Sequence, residues 1–276
     1  MSSVYSNSCD NLILVVLTLL LIGHSGRAQD DWIEYVSVKD KGVMSIGLDL
    51  NLHVTRPNYR NLLVVGKKFD HCMPNGFPNE MGLNELMTFS DSTAAIVDAS
   101  TMNKLAGIVT YQCMGFDVFY VKDTANIRSN LEKVIRDHFD PSKIFISIKK
   151  DRSWDYYYKF LFPANLDMDA LVDQQYLYGL VLQGDDLKGM RNVNHWLYFK
   201  NLKTRNSAGE KLKKLNFTLE SIAYDDSNRF PYELKISRQD SITPVSIIET
   251  TNLLKALCYS LNAQYDGWGT DLKIAE

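Results

Sequence analysis

Two stretches of this chain repeat one order of hydrophobic patterns, and that order constrains the fold more than any other feature. From Asn61 onward, apolar runs typical of strands and apolar residues at helical spacing follow the order strand, helix, strand, strand, helix, strand. The strand patterns cover 60–69, 104–113, 115–123 and 143–150, and the helical patterns cover 79–100 and 124–139. One helix layer on one antiparallel sheet is the simplest arrangement for this order.

The second half repeats the order after a connecting helical stretch over 165–183. Its strand patterns cover 192–200, 216–224, 231–238 and 264–268, and its helical patterns cover 207–215 and 243–262. Thr243 can cap the last helix, and Pro244 suits the first helical position. The halves share their element order without a residue-by-residue repeat.

An apolar hairpin pattern precedes the first of these units. The segments 31–38 and 42–50 alternate on either side of the short turn "KDKG". A length of 276 residues fits two domains better than one. We therefore predict an α+β protein of two tandem ferredoxin-like (βαββαβ) sandwiches, the first with an extra N-terminal β-hairpin. The predicted domains are 29–163 and 164–276, with "SWDYYYKFLFP" (153–163) at the seam.

The first 28 residues are typical of a signal peptide. The apolar run from Leu12 to Gly23 is too short to cross a bilayer as a helix, and Gly26 and Ala28 supply small residues before a cut ahead of Gln29. We expect a periplasmic or secreted protein, cleaved after Ala28, without a membrane span after cleavage. The alternative is an uncleaved N-terminal anchor, because the segment before the apolar run carries an Asp and no Lys or Arg.

Export leaves three cysteines in the mature chain. Cys72 and Cys113 fall in one predicted domain and could form a disulfide in an oxidising compartment. Cys258 lies in an apolar helical pattern, typical of a buried thiol. The alternative is that all three thiols are unpaired.

Several dispersed motifs give the second half a family resemblance. Between residues 185 and 268 lie an H-x-x-Y-F strand, a strand that ends in Ser-Arg before an acidic residue and Ser, and a closing Y-D-G-W. These motif residues are His195, Tyr198, Phe199, Ser237, Arg238, Asp240, Ser241, Tyr265, Asp266, Gly267 and Trp268. They resemble the family of the regulator of ribonuclease E activity B. That resemblance implies a ferredoxin-like fold and a protein-binding, inhibitor-like role.

The first half has a resemblance of its own. Residues 31–163, with "DDWIEYVSV" and "RSWDYYYKFLFP", resemble an uncharacterised bacterial domain-of-unknown-function family that often precedes such a module, and this implies no known activity. The ribonuclease regulator acts in the cytoplasm, where an exported protein would not meet the ribonuclease. We therefore expect the fold to transfer and the protein partner to be unknown.

Charge and motif spacing argue against several other functions. A net charge of -3 and a pI near 6.0 give no reason to expect nucleic-acid binding, and "PYELKISR" lacks the spaced aromatics of RNA-recognition modules. No histidines show metal-ligand spacing, and no nucleophile motif occurs. We interpret Asp167, Asp169 and Asp173 as compensating charge at a helix N-terminus. We expect no catalytic residues, cofactor or metal.

The strand at 192–200 suggests an interaction surface. In a strand His195, Leu197 and Phe199 share one face, and Trp196 and Tyr198 share the other. If the second face is open, its aromatic residues suit a protein interface. The alternative is that this face packs at the seam. The predicted interaction and signature residues are His195, Trp196, Tyr198, Arg238, Asp240, Tyr265, Asp266 and Trp268.

Two questions stay open at this stage. Trp268, between two glycines, is either a structural lock for the last strand or part of the recognition surface, and the lock is favoured. The alternative function is a small-ligand binder or enzyme with an inter-domain cleft. Its convergent polar groups would be Asp185, Asp186, His195, Asp240 and Asp266.

Overall fold

A computed structural model describes residues 32–39, 41–162 and 168–276, without the side chains of residues 168 and 169. The signal-like segment lies outside the described residues. The chain divides into two compact units, of which the first ends at Leu171 and the second begins at Val172. In the described part of the chain, no helix has the length and apolar character needed to cross a membrane.

The first unit contains a six-stranded antiparallel sheet with the order β1-β2-β4-β5-β3-β6. Its strands are β1 (Trp32–Lys39), β2 (Gly42–Asp49), β3 (Asn61–Lys68), β4 (Asn103–Tyr111), β5 (Met114–Val121) and β6 (Ile144–Lys150). Its helices are the short α1 (Asn51–Val54), α2 (Glu80–Ser100) and α3 (Ile127–His138). The four strands β4-β5-β3-β6 have the order of a ferredoxin-like sandwich, and the β1–β2 hairpin extends the sheet beside β4.

Both faces of this sheet are buried. Alternate residues of β3 and β5, such as Leu63 and Phe119, pack under α2 and α3. The residues between them, such as Val64 and Tyr120, pack on the other face with the segment that follows β6. Because both faces are covered, these strands read as continuous apolar runs and not as alternating ones.

The segment that follows β6 was predicted to form the seam between the domains, and the structure places it elsewhere. Trp154, Tyr157 and Leu161 are fully buried in the first unit's own core. The Trp154 indole stacks 3.7 Å from the Tyr120 ring, centroid to centroid, and its Nε1–H donates to the Tyr59 carbonyl at 2.7 Å. These side chains cover the face of the first sheet that lies opposite α2 and α3. "SWDYYYKFLFP" therefore belongs, through its described residues, to the core of the first unit.

The second unit contains a four-stranded antiparallel sheet with the order β10-β7-β9-β8. The strands are β7 (Met190–Phe199), β8 (Thr218–Tyr224), β9 (Tyr232–Ser241) and β10 (Gln264–Thr270), and the helices are α5 (Leu202–Lys214) and α6 (Pro244–Ser260). Helix α4 (Met168–Leu182) crosses the division between the units. This strand order is again ferredoxin-like, so the predicted α+β fold class is confirmed.

Two helix starts differ from the sequence prediction, one because of a backbone conformation and one because of a side-chain cap. Helix α3 begins at Ile127 and not at 124, because Asn126 is left-handed with a φ of 60°. Helix α5 begins at Leu202, five residues before the predicted start, because Asn201 caps it by accepting a hydrogen bond from the Thr204 N–H. The predicted Thr243 cap and Pro244 start of α6 are confirmed.

Candidate functional site

One face of the second sheet is free of this unit's helices α5 and α6. Strand β7 alternates between buried residues such as Leu197, which pack under these helices, and half-buried residues on the other face. Trp196 and Tyr198 lie on that other face, as their spacing predicts. We call it the open face of the second sheet and define it by Trp196, Tyr198, Glu233 and Lys235.

Residues of the two neighbouring strands lie beside the Trp196 indole. A Cβ on Gly269 would lie 3.5 Å from two atoms of that ring, and Gly267 pairs directly with Trp196 in the register. On the other side, Lys235 Nζ lies 5.2 Å from the indole centroid, within cation–π range. The indole therefore lies between a glycine and a lysine on a half-exposed surface.

Tyr198 extends the open face along the strand. Its hydroxyl donates to Glu233 Oε2 at 3.2 Å. Burial, together with the neighbouring Glu233 charge, raises the pKa of Tyr198 to about 12. The phenol therefore stays neutral and remains a hydrogen-bonding group beside the Trp196 indole.

His195 faces the opposite way and belongs to the core. It is fully buried, its Nδ1 lies 3.0 Å from the Tyr265 hydroxyl, and its ring meets Phe217 edge-on at 5.8 Å between centroids. Among the described residues, its Nε2 has no hydrogen-bond partner. Burial, with a smaller effect of the Arg238 charge, lowers the pKa of His195 to about 3. A neutral, enclosed imidazole is a packing group here.

Arg238 and Asp240 form a structural pair on β9. Arg238 Nε donates to both Asp240 oxygens, at 3.0 and 2.9 Å, while its guanidinium carbon lies 4.2 Å from the Phe217 ring centroid. The same guanidinium donates to Thr250 Oγ1 on α6 at 3.1 Å. This signature pair therefore joins the strand to a helix and to the turn before β8.

A β-bulge at Asp266 explains the closing Y-D-G-W motif. Tyr265 pairs with Leu197 and Trp268 with His195, so both point toward the helices although they are three residues apart. Without an extra residue, strand alternation would place them on opposite faces. Asp266 is that extra residue, exposed, and Gly267 supports the bulge with a φ of 136°.

A hydrogen bond to Asp173 holds Trp268 in the second unit. The sequence analysis had given Asp173 a different role. The Nε1–H of Trp268 donates to Asp173 Oδ1 at 2.8 Å, and the hydroxyl of Thr251 on α6 donates to Asp173 Oδ2 at 2.8 Å. Asp173 lies in the second turn of α4 and is buried, so its role is to tie α4, α6 and β10 together. The interpretation as helix N-terminal charge compensation is wrong for Asp173; Asp167 and the Asp169 side chain lie outside the described residues.

Asp185 and Arg191 form a second buried link that sequence analysis missed. Arg191 donates to both Asp185 oxygens, at 2.6 and 3.1 Å, and both side chains are buried. The N–H groups of Leu187 and Lys273 also donate to Asp185. This pair therefore anchors the tail after β10 to the loop before β7. In the sequence, the only sign of this ion pair is the six-residue spacing of Asp185 and Arg191 around a loop that contains a glycine.

The carboxylates proposed for a cleft are held by separate partners. Asp185 pairs with Arg191 and Asp240 with Arg238. Asp186 pairs with Lys188 at 3.0 Å, and Asp266 accepts a hydrogen bond from Gln264 at 3.3 Å. These contacts give no support to a convergent acid–base site. Within the described ranges, no group of three or more metal-ligating side chains is assembled.

Two family models match the chain, one in each half. Residues 170–270 match the family described as Regulator of ribonuclease activity B, and residues 30–162 match a family of unknown function, DUF695. Both resemblances inferred from the sequence motifs are therefore confirmed. Among curated proteins, none matches this chain.

Two similar solved structures add nothing to this assignment. One similar structure, of a candidate glycine cleavage system transcriptional repressor, is 8% identical with a TM-score of 0.25 and covers 78% of this chain and 100% of its own. Another, of an unknown protein from Galdieria sulphuraria, is 9% identical with a TM-score of 0.21 and covers 77% of this chain and 98% of its own. Scores this low carry no argument about fold or function.

Proposed function

We propose that this chain is an exported, non-enzymatic regulatory protein that binds another protein through the open face of its second sheet. The observation that carries the proposal is the setting of Trp196, a half-exposed indole beside Gly269 and Lys235 on the face opposite α5 and α6. Rigid aromatic side chains of this kind are enriched at the centres of protein interfaces.

The family match supports a role of this kind. The family matched by residues 170–270 is described as a regulator of ribonuclease activity, and a regulator acts by binding another macromolecule. The open face suits a protein partner, because Lys235 and Glu233 offer a polar rim around two aromatic anchors. Regulation of a particular ribonuclease is not part of the proposal.

The signature residues other than Trp196 and Tyr198 act mainly as scaffold. His195 is buried and neutral, Arg238 and Asp240 pair with one another, and Trp268 is locked onto Asp173. A proton donor or acceptor that serves catalysis needs access to a substrate. This arrangement supports a binding protein over an enzyme.

Export is part of the proposal. It rests on the signal-like residues 1–28 and on the Cys72–Cys113 disulfide, since such bonds persist in oxidising compartments. Cell fractionation and N-terminal sequencing test it directly. We expect the mature chain to begin at Gln29 in the periplasm or medium; an intact Met1 in a cytoplasmic fraction would overturn the export claim.

The binding claim is tested by capture from an envelope extract with the tagged mature chain. Trp196→Ala and Tyr198→Ala are compared with Tyr259→Ala, a control aromatic on α6 that is 90% exposed on the helical side. We expect a protein that is captured by wild type and by Tyr259→Ala and lost from both open-face variants, with circular dichroism unchanged. Capture that survives both open-face substitutions, or no capture at all, contradicts the proposal.

A further inference from the structure

The two aromatic residues on the open face of the second sheet have different neighbours. Lys235 Nζ lies 5.2 Å from the Trp196 ring centroid, so the indole already has a cationic neighbour within the chain. Tyr198, two residues further along β7, lies between β9 and β10, and both of these strands place a carboxylate beside it. The Tyr198 end of the face therefore offers acceptors where the Trp196 end offers a donor.

The first carboxylate belongs to Glu233 on β9. Glu233 is directly opposite Tyr198 in the strand register, and side chains in this position share a sheet face. Its Oε2 accepts the hydrogen bond from the Tyr198 hydroxyl at 3.2 Å. A carboxylate has about four acceptor positions. Glu233, which is half-buried, therefore keeps acceptor capacity beside the phenol ring.

The second carboxylate belongs to Asp266, the extra residue of the β10 bulge. Gln264 is directly opposite Tyr198 on this strand, and its Nε2–H donates to Asp266 Oδ1 at 3.3 Å. This hydrogen bond draws the exposed Asp266 carboxylate to the side of the open face. Since β9 and β10 are the two neighbours of β7, Asp266 and Glu233 lie on opposite sides of Tyr198.

The charges that act on the Tyr198 hydroxyl are anionic. Burial raises the pKa of Tyr198, and the charges of Glu233, Asp266 and Asp225 raise it further. Asp225 is exposed in the turn after β8, where hydrogen bonds from Ser227 hold the pKa of its carboxyl below the ordinary value. In the part of the chain that the structure describes, none of these three carboxylates forms an ion pair. Their charge is therefore free to attract a cation from outside.

The basic side chains of this region contact aromatic rings and not these carboxylates. Lys235 lies over Trp196, while Lys200 Nζ and the Arg229 guanidinium carbon lie 5.3 and 5.6 Å from the Phe230 ring centroid. Lys200 also donates to a side-chain oxygen after α6. The half-exposed Tyr198 ring is thus left without a cation of this chain over it in the described residues, although it lies between two carboxylates.

We propose that the protein segment bound by the open face carries an arginine that lies over the Tyr198 ring. This inference rests on the proposed function and names the chemistry of the partner. A guanidinium is planar, stacks on aromatic rings and donates in a fixed fork to carboxylates. It would cover the phenol and donate to Glu233 or Asp266, while apolar residues of the same segment cover the Trp196 indole.

The test uses the oxidised mature chain and three tripeptides with blocked ends. The first has arginine between two threonines, the second has citrulline, which keeps the shape of arginine without its charge, and the third has glutamate. We expect NMR titrations to shift the Tyr198 and Glu233 amides and to show arginine binding about tenfold tighter than citrulline, because charge-assisted hydrogen bonds are stronger. The glutamate peptide should not bind, and the arginine preference should shrink at about 1 M salt, where exposed charges are screened.

A double variant identifies the groups that recognise the charge. Glu233→Gln with Asp266→Asn removes both charges and keeps oxygen acceptors for Tyr198 and Gln264, so it should bind the arginine and citrulline peptides nearly equally. Glu249→Gln, on the exposed side of α6, is the matched control and should keep the preference of about tenfold.

Several results would overturn the arginine assignment. They are equal affinity of the wild-type chain for arginine and citrulline, tighter binding of the glutamate peptide, and a full arginine preference in the double variant. Amide shifts at Tyr198 that depend on protein concentration without peptide would instead identify a second copy of this chain as the occupant. An envelope protein that is lost with Trp196→Ala but captured equally by the double variant would refute the arginine and leave the proposed binding face standing.

Discussion

Replacing Asp117 by Asn should stabilise the first unit above neutral pH. Asp117 lies on β5 and is 3% exposed, and the hydroxyl of Ser90 on α2 lies 2.7 Å from both of its oxygens. Burial, opposed by the Ser90 hydrogen bond and assisted by the Asp91 charge, raises the pKa of Asp117 to about 7. The carboxyl group is therefore protonated in the folded unit at mildly acidic pH and must ionise in place when the pH rises.

The size of the expected change in unfolding free energy follows from the raised pKa of Asp117. Between the ordinary value of 3.8 and about 7, the folded state holds a proton that the unfolded state has released, so the free energy of unfolding falls as pH rises. The full loss is about 4 kcal/mol, at about 1.4 kcal/mol for each pH unit. Asn carries no charge and can still bond to Ser90, so Asp117→Asn should recover that loss above about pH 7 and change little near pH 4.

A measurement on the whole wild-type chain would conceal this effect. His195 has a folded pKa of about 3, below its ordinary 6.5, so the folded state binds fewer protons there and stability falls as pH drops below 6.5. The two slopes oppose each other, although they act on different units. The informative quantity is the difference between Asp117→Asn and wild type at each pH.

Urea unfolding with pulse proteolysis measures that difference, with β5 peptides quantified by mass spectrometry so that the first unit is followed separately. We expect the stability difference to rise from near zero at about pH 4 to a plateau above about pH 7. Asp91→Asn, which removes only a neighbouring charge, serves as the control and should show a much smaller rise. A difference between Asp117→Asn and wild type that does not vary with pH would refute the reasoning.

Three further predictions concern the second unit. Trp268→Phe removes the donor to Asp173 and should destabilise the unit by about 2 kcal/mol, measured by chemical denaturation; unchanged stability would contradict the lock. Asp185→Asn leaves Arg191 as a buried, unbalanced charge and should cost about 3 kcal/mol, with faster amide exchange in the tail after β10; slow exchange there would count against the link. Burial raises the pKa of the Cys258 thiol to about 12, so iodoacetamide should modify it only in urea, and rapid labelling of the native chain would disprove its burial.

Sequence patterns identified most of the elements because each has a local cause. The Thr243 cap, Pro244 at the helix start and the alternation through Trp196 and Tyr198 all act over a few residues. Helix starts at Asn126 and Asn201 were misplaced, because one backbone conformation or one side-chain cap outweighs the hydrophobic period there. The candidate site was predicted in part, since its two outward aromatics follow from strand alternation.

The sequence by itself determined the two α+β units, their family resemblances and the face on which Trp196 lies. Tertiary structure alone decided which polar residues are partners: Trp268 with Asp173, Arg191 with Asp185, and His71 with Glu85. It also assigned "SWDYYYKFLFP" to the first core. The physical reason is range, since periodicity and capping depend on near neighbours, while buried hydrogen bonds and ion pairs depend on side chains brought together by the fold.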